Sequence, residues 1–181
     1  MFNKYFFLAA VCLAMPAQAG LLGSTATVTG YYPNLATTQF GPATATVSNS
    51  VEFPLGLGGG IGSSDITDTK IILTTSFAGN GSFSGSPPAT FNGYVFSFSG
   101  ASPITGAAIS ASSDLSGFLV SFSPTSVSIN LAGLSAATNK NAIVDVQFAS
   151  PTSSVPEPST MASVLFGGLA LGQLLRRRMA K

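Results

Sequence analysis

The chain has 181 residues, a formal net charge of +1, no histidine, no tryptophan and one cysteine. That inventory excludes Ser-His-Asp and Cys-His catalysis and the usual His/Cys zinc and iron sites. Only 7% of the residues are charged, and no stretch outside the last few residues is basic enough to hold nucleic acid.

In chain order, Lys4 gives a weakly positive start, Tyr5 to Met15 is apolar, and Ala17-Gln18-Ala19 precedes Gly20. This is the pattern of a secretory signal peptide over residues 1–19, cut between Ala19 and Gly20. A transmembrane helix here would need a longer run, and Pro16 and Gln18 interrupt this one. Cys12 lies in the apolar run and leaves with the leader, and Val11 stands where a lipoprotein needs a small residue. The exported body then has no thiol and depends on its own core rather than on disulfides.

Residues 20–149 are enough for one domain with a core. Its acids are Glu52, Asp65, Asp68, Asp114 and Asp145 and its bases are Lys70 and Lys140, so five carboxylates against two ammonium groups leave −3. Thr25 to Tyr32 reads as a strand, Ala43 to Phe53 as one bent strand or two short ones, and Ile66 to Phe77 as another. Leu55 to Ser64 is glycine-rich and predicts no regular element. Asn80-Gly81 and Asn92-Gly93 are turn or bulge signals, and Pro87-Pro88, Pro103, Pro124 and Pro151 punctuate the rest.

Clean period-two alternation marks Tyr94, Phe96 and Phe98, then Phe118, Val120 and Phe122, then Val127, Ile129 and Leu131, and finally Val144, Val146 and Phe148. Ser-Phe-Ser recurs at 82, 97 and 121 and reads as strand composition. The expected fold is all-β: eight or nine short strands in an antiparallel β-sandwich or jelly-roll-like body.

Candidate chemistry in this body is sparse. A two-carboxylate hydrolase would need two of the five acids facing across a cleft; solvated surface acids are the simpler reading. Asp65 and Asp68 are the only acids close in sequence and admit a calcium ion, but their spacing is not an EF-hand and supplies few of the six to eight oxygens calcium takes. Gly58-Gly59-Gly60-Ile61-Gly62 lacks the lysine and the helix of a phosphate loop. Tyr31 and Tyr32 are candidates for stacking on sugars, and Tyr94 is expected in the core beside Phe96. No cofactor or catalytic residue is indicated.

Residues 150–160 form a Ser/Thr/Pro linker that carries Val155-Pro156-Glu157-Pro158-Ser159-Thr160. Residues 161–175 are an apolar run, and residues 176–181 begin with Arg176-Arg177-Arg178. As a helix the run spans roughly 22 Å against about 30 Å of bilayer core, so it reads as a short transmembrane helix serving as a transient anchor. The arginines stay cytoplasmic by the positive-inside rule and leave the body outside the inner membrane. Pro156 and Pro158 keep the preceding segment extended, with Glu157 as one charge for recognition.

These tail residues resemble the sorting signal of the PEP-CTERM family of exported bacterial proteins. Met161 stands where an aromatic residue is common in that family, and Gln173 interrupts the helix. The resemblance implies recognition of Val155 to Pro158 by an exosortase, a membrane precursor, and delivery to the cell surface or an extracellular, exopolysaccharide-rich matrix. It implies sorting, and no activity of the body. A structural or interaction protein is the expectation, with an exopolysaccharide-binding module as the alternative and a carboxylate-dependent glycan hydrolase behind both.

Overall fold

A computed structural model describes residues 20–86 and 89–150, which fall in the first of two units of the chain, Met1–Pro151 and Thr152–Lys181. The expected signal peptide through Ala19 and the expected sorting tail lie outside the described residues. Every regular element among those described is a β-strand, and no helix there is long and apolar enough to cross a membrane.

Eleven strands follow in order: β1 (Thr25–Tyr31), β2 (Thr38–Thr46), β3 (Ile61–Ile66), β4 (Lys70–Thr75), β5 (Gly81–Ser82), β6 (Gly93–Ser99), β7 (Ile104–Ile109), β8 (Leu119–Ser123), β9 (Ser126–Asn130), β10 (Ser135–Ala136) and β11 (Asn141–Phe148). A first sheet has the order β2-β1-β6-β9-β8, a second has β3-β4-β11-β7, and β10 and β5 form a short ribbon. All pairings are antiparallel.

Alternation builds the core. Ala26 and Val28 of β1, Phe96 and Phe98 of β6, and Val127 and Ile129 of β9 are buried on one face of the first sheet. Ile66, Ile71, Leu73, Ala142 and Val144 do the same for the second sheet, and both sets join one hydrophobic cluster. Each large side chain so buried is worth roughly 1.5–3 kcal/mol before the entropy cost of ordering it.

Several elements depart from the sequence expectation. The segment Ile66 to Phe77 is not one strand: β3 ends at Ile66, Thr67 N–H bonds the Lys70 carbonyl at 2.9 Å, and β4 returns. β3 starts inside the glycine-rich stretch, because Gly58, Gly59 and Gly60 all take positive φ and turn the chain, freeing Ile61 to pair with Thr75. The strand expected from Ala43 begins earlier, at Thr38, and ends at Thr46; Phe53 makes only a single bridge, to Ser64. Phe122 lies on the inner side opposite Val127, but β8 is the sheet edge and leaves it 48% exposed.

Candidate functional site

The outward face of the first sheet carries short hydroxyl side chains in register. Thr44 of β2 faces Thr27 of β1, which faces Ser97 of β6, then Ser126 of β9 and Ser123 of β8. One row of hydroxyls thus crosses every strand of the sheet, with strands about 4.8 Å apart. Beside it run Thr46, Thr25 and Ser99 on one side, and Thr29, Val95, Ser128 and Ser121 on the other. Thr27 and Thr44 share a hydrogen bond of 3.1 Å and Ser123 and Ser126 one of 2.7 Å. Thr44, Thr46, Ser97, Ser99 and Ser121 are exposed.

None of the strands of this sheet contains Asp, Glu, Lys or Arg. The charges lie elsewhere: Asp65, Lys70 and Asp145 on the second sheet, and Glu52, Asp68, Asp114 and Lys140 in loops and turns. The strands of the hydroxyl face therefore contribute no formal charge to it. It offers donors and acceptors of the kind another hydroxyl-rich surface offers in return.

At one end of this face lies an open groove of about 380 Å³. Leu35, Phe91, Leu119 and Val120 give it apolar walls, and Ser121, Ser128 and Asn130 extend the hydroxyl array into it. Leu35 is 56% exposed and Leu119 69%. Leu35 sits on an ordered turn, because Asn34 Oδ1 accepts from the Ala36 N–H at 2.9 Å and the Thr37 hydroxyl at 3.3 Å. The Phe91 strap is held by N–H bonds from Thr90 and Phe91 to the Pro33 carbonyl, at 2.9 and 3.1 Å. Asn130 holds the same strap: its Oδ1 accepts from the Asn92 N–H at 3.0 Å and its Nδ2 donates to the Thr90 carbonyl at 3.2 Å. Apolar walls beside hydroxyl and amide groups suit a ligand with one apolar and one hydroxylated face.

The tyrosines singled out from sequence separate. Tyr31 is half-buried and stands edge-on to Phe91, with ring centroids 6.4 Å apart, so it buttresses the groove from behind its aromatic wall. The Tyr32 hydroxyl contacts the Ser84 hydroxyl at 3.4 Å. Tyr94 is buried with Phe96 as expected; its hydroxyl donates to the Gly58 carbonyl at 2.6 Å, and burial pushes its phenol well above the usual range.

The acids are mostly occupied with the backbone. Glu52 accepts the N–H of Ser48 at 2.8 Å and of Ile66 at 2.7 Å, and Asp114 that of Asn141 at 3.0 Å. Asp68, in the β3–β4 turn, accepts the Leu22 N–H at 3.3 Å. Asp65 lies within β3, paired with Ile72. Among the described residues no three Asp, Glu, His or Cys side chains gather as a metal site. Lys70 Nζ bonds Asp145 Oδ1 across β4 and β11 and also reaches the Ser110 hydroxyl at 3.4 Å. The Lys70 hydrogen bond, above all, holds the Asp145 carboxyl below the usual carboxylate range; partial desolvation opposes it.

Gly20 is described and buried against Asp68, whereas Ala17, Ala19, Val155 to Pro158 and Arg176 to Arg178 lie outside the described residues. Compared with known proteins, the chain matches no family model, no curated protein and no solved structure.

Proposed function

We propose that this chain is an exported β-sandwich protein of the bacterial cell surface or extracellular matrix, with a structural or interaction role. An exosortase sorts and processes it at Val155 to Pro158. The observation that carries the sorting is the three-part tail: Pro156-Glu157-Pro158, the apolar run, and Arg176 to Arg178. The two main sheets sharing one core support the sandwich, and that core holds a body that has no cysteine for disulfides. Replacing Glu157 with Gln, or deleting Arg176 to Arg178, leaves the precursor uncleaved in the inner membrane, as read from its intact mass. Normal maturation of both variants sinks the sorting assignment.

A second reading has an observation of its own. The uncharged hydroxyl face and the adjoining groove favour a neutral polysaccharide as the body's partner. In native electrophoresis through gels containing dextran, the protein is retarded, and Leu119→Asp binds about tenfold more weakly, a loss of about 1.4 kcal/mol. Lys140→Ala, away from the face, keeps full retardation. Equal retardation of the Leu119→Asp variant and the parent rules the groove out.

A further inference from the structure

We propose that leader removal creates an ion pair that locks the mature N-terminus: the α-ammonium of Gly20 docks on the carboxylate of Asp68. This rests on the exported reading, through cleavage after Ala19. A Cβ built on Gly20 would lie 1.8 Å from Asp68 Oδ1 and 2.5 Å from its carboxyl carbon. The carboxylate therefore lies directly on the Gly20 Cα, in the space any other residue would fill with its side chain. Backbone bond lengths put the residue-20 nitrogen less than about 5 Å from Oδ1.

Two further contacts fix this geometry independently. Leu21 N–H donates to the Asp68 carbonyl at 2.9 Å, and Leu22 N–H donates to Asp68 Oδ1 at 3.3 Å. Leu21 is fully buried in the core, and its carbonyl accepts the Ser24 hydroxyl at 2.6 Å. One aspartate thus organises three consecutive residues immediately ahead of β1.

The connection spans both main sheets. β1 belongs to the first and the β3–β4 turn to the second. In the precursor the nitrogen is a neutral amide of the Ala19–Gly20 peptide. Hydrolysis of that bond consumes one water and leaves a carboxylate on Ala19 of the departing leader and an ammonium on Gly20. Only the processed chain places a full positive charge against Asp68, so export and final tightening of the body are coupled.

The test is a thermal double-mutant cycle on the chain of residues 20–181 in detergent. One form starts at Gly20; the other keeps Gln18-Ala19 ahead of it; each is made with Asp68 and with Asp68→Asn. Asparagine keeps an acceptor for Leu22 N–H and removes only the charge. The Gly20 start melts about 2–4 °C higher than the extended form with Asp68 present, and the difference vanishes in the Asp68→Asn background. Acetylation of the Gly20 amine reproduces the loss without added residues. An extension that costs the same in both backgrounds, or nothing in either, overturns the lock. The first residue of the exported protein, read by mass spectrometry, tests the leader assignment separately: a start elsewhere overturns the proposal for the native protein whatever the cycle gives.

Discussion

A single hydrogen in place of a methyl decides where β6 can run. A Cβ on Gly93 would lie 1.9 Å from the carbonyl oxygen of Ile129, a backbone atom that cannot rotate away. Gly93→Ala forces β6 and β9 apart at the point where Tyr94 and Ile129 enter the core, and overpacking of that kind costs about 1–3 kcal/mol. The urea midpoint falls by the corresponding amount at an unchanged slope, whereas Ser97→Ala, exposed on the same strand, stays within about 0.5 kcal/mol of the parent. Asn92-Gly93 reads in the sequence as a turn or bulge signal. Glycine serves both a positive φ and a close backbone approach, and only the neighbouring strand tells the two apart. Tyr94 was legible because its burial follows from alternation with Phe96.

At the scale of elements, legibility follows contrast between the two faces of a strand. β1, β9 and most of β11 alternate buried and half-buried residues along their length, and their sequences alternate in step; β4 alternates in burial while its sequence, Ile71-Ile72-Leu73-Thr74-Thr75, does not. β7 is Ile-Thr-Gly-Ala-Ala-Ile; its small middle residues show no period, so nothing in it announces a strand. β3 hides for a different reason. Ile61 and Ile66 are both buried although an odd number of positions separates them, and a register shift between Ile61 and Ser63 reconciles the parity. The candidate face was half legible. Thr25, Thr27 and Thr29, and Ser97 and Ser99, occupy every second position in plain view. Their alignment into rows depends on β1 pairing with β6 and β6 with β9, contacts between strands far apart in sequence. The groove depends on the same pairings, since Leu35, Phe91 and Leu119 come from three separate segments.

For the whole molecule, the two ends and the body carry different kinds of information. The proposed leader and sorting tail are linear motifs, legible because each is a contiguous run of residues in the sequence itself. The body's contacts are non-local, and its chemistry is sparse enough that charge placement becomes the informative quantity. With five carboxylates and two lysines in residues 20–149, the body has little charge to titrate, and the Lys70–Asp145 pair is its one salt bridge among the described residues. Lys70 is 39% and Asp145 45% exposed, so solvent screens the pair and its worth stays below about 1 kcal/mol. Because Asp145 titrates lower in the folded state, its contribution is complete above the unfolded carboxyl value of about 3.9 and is lost as pH falls below it through the folded value. Lowering the pH from 6 to 2 therefore includes a small loss of stability traceable to Asp145. In Asp145→Asn, chemical denaturation across that range shows a shallower decline, and the variant and parent converge at the acid end. A decline as steep in the variant as in the parent would mean that the pair contributes nothing to the pH dependence.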